Sequence, residues 1–116
     1  MYLGLDLGTS GVKALVIGDN QETLAEARAA LSVQRPHPGW SEQDPASWEA
    51  AVDTVISKLS HTIQLSGIKG IGLSGHMHGA TLIDAAGTVL RPCILWNDTR
   101  SHIEAALLDN LSLIHI

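Results

Sequence analysis

No stretch of this chain concentrates positive charge: seven Lys and Arg are scattered among twelve Asp and Glu, for a net charge of −5. A phosphate backbone is bound by clustered cations, so nucleic acid is not an expected partner. No apolar run approaches the ~20 residues of a membrane-spanning helix, so no membrane is expected either. The N-terminus lacks a basic segment leading into an apolar stretch, and no signal peptide is expected. A single cysteine, Cys93, leaves no internal disulfide. Inside the apolar run Pro92-Cys93-Ile94-Leu95 it reads as a small core residue rather than a reactive thiol. Internal repeats and low-complexity segments are missing too. What is present is 116 residues, 45% of them hydrophobic. That allows one small domain, or part of a larger one, with a packed core. These features describe a soluble cytoplasmic α/β protein.

Apolar residues at every odd position from Met1 to Leu7 mark a strand. Gly8-Thr9-Ser10-Gly11 is turn chemistry, and the branched-rich run Val12 to Ile17 is a second strand. After the turn at Asp19-Asn20, Thr23 to Val33 is expected as a third strand, because short turns on both sides imply a meander of antiparallel hairpins. Gln34 to Asp44, with two prolines and a glycine, is expected as a surface loop. Asp44-Pro45 is a helix start, Asp as N-cap and Pro in the first turn. Trp48, Ala51, Val52, Val55, Ile56 and Leu59 then recur at helical spacing along one face. The next strand, Gly67 to Leu73, makes that helix a crossover to a parallel neighbour. A hairpin of Ala80–Ile83 with Thr88–Leu90 and an apolar run Ile94–Trp96 follow. A last helix is capped by Asp98 or by Ser101, the latter forming a capping box with Glu104.

Three motifs fail on context. Gly70-x-Gly72-x-x-Gly75 has dinucleotide-fingerprint spacing but precedes no helix that would bring a dipole to a pyrophosphate. Gly8, Gly11 and Lys13 are too close for a P-loop, and Ser74 lacks the second glycine of a nucleophile elbow. Asp6-Leu7-Gly8-Thr9-Ser10-Gly11 survives. It sets a carboxylate at the end of a buried strand and a Gly-Thr turn beyond it. The glycines let backbone approach a ligand, while Thr9, Ser10 and turn N–H groups donate to phosphate oxygens. Asp6 is the candidate catalytic residue, positioning Mg²⁺ through water because that ion keeps much of its hydration shell. Lys13 either neutralises phosphate charge or faces solvent. An ordinary hairpin with an edge Asp has the same pattern. A third strand and a crossover helix behind this one favour the ligand site.

In that context the sequence resembles the actin-like ATPase (ribonuclease H-like) superfold, in which this turn grips nucleotide phosphates between two domains. Trp40-Ser41-Glu42-Gln43-Asp44-Pro45, then Gly75-His76-Met77-His78-Gly79, then Leu90-Arg91-Pro92 through Trp96-Asn97-Asp98-x-Arg100 narrow the resemblance to the FGGY carbohydrate kinases. Within them it is nearest the branch that phosphorylates D-xylulose. The fold so implied is a partial mixed sheet with three antiparallel first strands and a crossover helix. The implied cofactors are ATP, at Gly8, Thr9, Ser10 and Lys13, and Mg²⁺, at Asp6. The implied partner is a small sugar, contacted by Met77, His78 and Asp98, with Asp98 as a helix cap the competing role. His76 departs from the family pattern, which has Gln there, and this bears on specificity.

His76 and His78 would face the same way on an extended segment, but no Cys or carboxylate nearby in sequence completes a metal set. Trp40 and Trp48 are expected to pack, Glu42 to anchor a loop. Residues 1–110 are assigned to the first kinase domain and 111–116 to a tail outside the resemblance. The resemblance places the catalytic base, an Asp, and the adenosine pocket beyond residue 116. The chain alone is therefore expected to be inactive. A non-catalytic actin-like nucleotide-binding module and a gluconokinase-like enzyme are the alternatives. Oligomeric state is left open, a homodimer among the options.

Overall fold

The computed structural model describes residues 1–114, with side chains through Leu111. Strands β1 (Tyr2–Leu7), β2 (Gly11–Ile17) and β3 (Thr23–Ala30) form the expected antiparallel meander. Period-2 patterning sorts their side chains. Leu3, Leu5, Val12, Ala14, Val16, Ala25 and Ala27 face one side and are buried; Asp6 and Lys13 share the other. The alanines of β3 make this possible, because small side chains let a helix lie close against the sheet.

That helix is α1 (Pro45–Ser60), and it starts as its sequence dictates. Asp44 has extended backbone and its carboxylate accepts the Ala46 N–H at 2.9 Å. Ala51, Val55 and Leu59 seat the helix on β2 and β3. Burying Val55 and Leu59 contributes about 1.5–3 kcal/mol each. A 3₁₀ turn, Leu65–Gly67, ends the crossover. Strand β5 (Ile71–Gly75) then lies parallel to β1, giving sheet order β3-β2-β1-β5. The helix-to-strand crossover is as expected, but the strand begins four residues later than Gly67, because the 3₁₀ turn takes the start of that segment.

The stretch expected as loop before Asp44 carries a strand. Glu42–Gln43 (β4) pairs with Cys93–Ile94 (β6), and Gln34 bridges Glu42. Cys93 is buried, as expected. The hairpin near residue 85 is reduced to one bridge, Ile83 to Val89, around a turn in which the Asp84 carboxylate accepts the Ala86 and Thr88 N–H groups. The element after β5 is strand β6 and not a helix, in line with rejection of the dinucleotide fingerprint. Helix α2 (His102–Ile114) extends from the body with Ile103, Leu107, Leu108 and Leu111 exposed. The radius of gyration, 18.1 Å, accordingly exceeds the ~13 Å of a compact chain of this size. The segment 111–116, set apart in the sequence, continues α2 through Ile114; its last two residues lie outside the described ones.

Candidate functional site

Parallel pairing of β1 with β5 brings the ends of both strands together. Asp6 lies opposite Ser74, whose hydroxyl donates to Asp6 Oδ1 at 2.8 Å. Asp6 Oδ2 has no protein partner among the described residues and is free for a hydrated cation. Beyond Asp6 the chain turns through Gly8–Gly11, closed by the Gly8 N–H to Gly11 C=O bond at 2.9 Å. Gly11 is required by space: a Cβ there would stand 2.6 Å from the Ala29 carbonyl oxygen of β3.

Beyond β5 the chain turns as sharply. Gly75 has φ +136°, and a Cβ on it would overlap the Leu7 carbonyl. His76 (φ 37°) and His78 (φ 66°) both sit in the left-handed region, rare for side chains of their size. Such backbone is strained by about 1–3 kcal/mol per residue and gathers at functional sites. The twist ends any shared direction for the two imidazoles. His76 turns inward and stacks on Trp48 of α1, ring centroids 4.5 Å apart. Burial pushes its imidazole below the ordinary histidine range, with Asp6 pulling the other way. Its Nε2 is buried without a protein partner. Met77 and His78 remain exposed.

The two turns and Trp96 enclose a cleft of about 370 Å³ lined by Asp6, Gly8, Thr9, His76, Met77 and Trp96. The Trp96 indole N–H donates to Thr9 Oγ1 at 3.2 Å, joining the wall to the turn. On the sheet face that Asp6 shares with Lys13, a second depression is lined by Asp6, Gly8, Ser10, Lys13 and Arg28. Arg28 lies opposite Lys13 in the β2–β3 ladder. Of the residues expected for phosphate and metal, Asp6, Gly8, Thr9, Ser10 and Lys13 line one or other of these depressions, and of those expected for sugar Met77 does. His78 shares the loop but does not line the cleft; His76 does. Arg28, Ser74 and Trp96 complete the site. Register alone brings in Arg28 and Ser74, so no local signal could have found them. Among the described residues no three His, Cys, Asp or Glu side chains cluster as a metal set.

Asp98 does not cap the last helix, which begins at His102, and it does not line the cleft. Its side chain is 2% exposed and is turned into the protein. Its oxygens accept the Ser41 N–H at 2.6 Å, the Arg100 N–H at 2.9 Å, and the Arg100 guanidinium at 2.6–3.0 Å. The guanidinium hydrogen bond leads the causes that hold its carboxyl well below the usual range, against burial. Its carboxylate is thereby engaged within the protein by Ser41 and Arg100. Arg100 also stacks on Trp40, its guanidinium carbon 3.6 Å from the ring centroid, and its Nη1 lies 2.7 Å from Glu42 Oε1. Glu42 thereby anchors the loop, as expected, and Trp40 packs.

A strand-end carboxylate, a Gly-Thr turn closing the first hairpin, and a helix crossing to a parallel strand define an actin-like ATPase fold. The xyloylose kinase of Brucella ovis superposes with a TM-score of 0.92 at 62% identity, over 97% of this chain and 24% of that one. The xylulose kinase of Rhodospirillum rubrum superposes with a TM-score of 0.88 at 34% identity, over 94% of this chain and 23% of that one. The xylulose kinase of Klebsiella pneumoniae is 51% identical over 110 residues, 95% of this chain and 23% of the relative. The family model for the N-terminal domain of the FGGY carbohydrate kinases matches residues 1–115. The chain belongs to the FGGY family of carbohydrate kinases. It spans less than a quarter of the length of these relatives.

Proposed function

We propose that this chain contributes the phosphate turn and one sugar wall of an ATP-dependent kinase that phosphorylates D-xylulose. The observation carrying this reading is the convergence of Asp6, the Gly8–Thr9 turn, Met77 and Trp96 on one cleft. Similarity to xylulose kinases over nearly the whole chain supports the choice of sugar. The donor set fits Mg²⁺ and a nucleotide: one carboxylate oxygen is free, the turn is backbone-rich, and Lys13 and Arg28 stand beside it. ATP supplies the phosphoryl group, and Mg²⁺ would neutralise charge on it.

The residues of this chain bind and orient. Ser74 fixes the Asp6 carboxylate through Oδ1 and leaves Oδ2 to order the cation's water shell. Thr9 and the turn amides receive phosphate oxygens, with Lys13 and Arg28 offsetting negative charge. Met77 and Trp96 give the sugar an apolar floor, and His78, exposed next to Met77 in the same strained loop, reaches its hydroxyls from beside the cleft. His76 is braced on Trp48 and shapes the loop. In this reading none of these residues is the base that accepts the hydroxyl proton.

The test uses the complete gene product with ATP, Mg²⁺ and D-xylulose in a coupled ADP-release assay. Turnover is expected, and Asp6→Ala should lower it at least 100-fold, about 2.7 kcal/mol of transition-state stabilisation, with xylulose binding retained. The purified 116-residue chain should show none. An inactive complete protein, or near-normal Asp6→Ala turnover at saturating Mg²⁺ and ATP, overturns the reading.

A further inference from the structure

Gln43, in the two-residue strand β4, has no exposed surface at all. Its Nε2 donates to the Thr9 carbonyl at 2.7 Å and the Ser32 carbonyl at 3.3 Å. Its Oε1 accepts the Trp48 indole N–H at 3.0 Å. Chemistry fixes the amide's orientation, because an indole N–H can only donate and the two carbonyls can only accept. A flipped amide would set donor against donor and acceptor against acceptor.

What Gln43 holds is one peptide unit of the phosphate turn. No cis peptide occurs among the described residues, and in a trans unit the C=O and the following N–H point opposite ways. Pulling the Thr9 C=O inward to Gln43 therefore turns the Ser10 N–H outward. Neither the Thr9 nor the Ser10 N–H has a backbone acceptor among the described residues. Unpinned, this peptide between two glycines can flip. The flipped unit presents a carbonyl oxygen, the negative end of the dipole, where the N–H had pointed.

We propose that Gln43 is a positioning residue for the nucleotide's phosphates: oriented by Trp48, it locks the Thr9–Ser10 peptide with its N–H toward the anion. The proposal rests on the reading of the turn as a phosphate site. It separates nucleotide from sugar, since Gln43 touches the turn but neither Met77 nor His78.

The test measures MgADP and D-xylulose binding separately, by calorimetry on the complete gene product. Gln43→Met keeps the volume and deletes the hydrogen bonds. Trp48→Phe deletes the indole N–H together with one of the two fused rings, and keeps a smaller aromatic face for His76. Gln43→Met should weaken MgADP binding about tenfold with xylulose affinity within twofold of the parent, and Trp48→Phe, which also trims the His76 stack, should weaken MgADP about threefold and xylulose by less. MgADP affinity within twofold of the parent in a folded Gln43→Met protein overturns the proposal. Equal losses for both ligands overturn it too, since they mark a general structural defect. If Gln43→Met does not fold, Trp48→Phe decides by the same criteria, unchanged MgADP affinity being the refuting result. A parent protein that binds no MgADP defeats the kinase reading itself, independently of Gln43.

Discussion

Replacing Asp98 with Asn tests the ionic latch that joins the Trp96–Arg100 segment to the loop before α1. Asn keeps the shape but loses the charge, and its NH₂ must face N–H or guanidinium donors that Asp98 now satisfies. Arg100 keeps only the Glu42 carboxylate. Hydrogen bonds to charged groups contribute about 1.5–3 kcal/mol each, and breaking a buried pair costs about 3–5 kcal/mol. The Arg100 side chain is 13% exposed and Trp40 still supports it, so a local loss of about 2–3 kcal/mol is expected. Amide hydrogen exchange in the complete gene product reads this directly, because Ser41 and Arg100 donate their backbone N–H groups to Asp98. Both amides should exchange about 30- to 150-fold faster, with α1 unaffected. The pH dependence has a definite sign. The Asp98 pKa is depressed in the folded state, so its contribution is fully present above the unfolded carboxyl pKa of about 3.9 and fades as pH falls toward the folded value. The difference between parent and variant should be constant from pH 7 to about 5 and roughly 1 kcal/mol smaller at pH 3. A change under threefold at pH 7, or equal acceleration throughout α1, would refute this account of the latch.

His78→Ala should weaken D-xylulose binding several-fold, about 0.5–1.5 kcal/mol per lost hydrogen bond, while MgADP binding stays near normal; equal sugar affinity by calorimetry reduces His78 to a loop residue. His76→Gln should weaken sugar binding less than His78→Ala, because the family pattern has Gln there, although it forfeits the Trp48 stack, a contact worth about 0.5–1.5 kcal/mol. Gly11→Ala should destabilise by about 1–3 kcal/mol, since its Cβ meets a backbone oxygen at 2.6 Å that no rotamer change can move. Gly72→Ala, with nothing within 4 Å, should stay within ~0.5 kcal/mol. Equal melting shifts for these two glycine variants would contradict the packing argument.

Alternation, turn residues and helix spacing were enough, read along the chain, for the meander, the capped crossover helix and the parallel return strand. Each of those signals is local: the strand period is two residues, and a cap acts within one turn. The same holds for Asp6, Gly8 and Thr9, which are chain neighbours, whereas the loop after Gly75 bends at His76 and His78 as well. Contacts between distant residues followed a different rule. Ser74 reaches Asp6 across the register of β1 with β5, and Arg28 stands by Lys13 across that of β2 with β3. Asp98 looked like a helix cap, but the helix starts at His102 and the carboxylate is taken up by Arg100 and the Ser41 N–H. Gln43 looked like loop and proved to be the buried link between Trp48 and the Thr9 carbonyl. Sequence by itself therefore determined most of the elements and the Gly8–Gly11 turn, but not β4. Only the tertiary structure decided which polar side chains face a ligand and which are consumed in holding those that do, because that depends on partners brought from elsewhere in the chain.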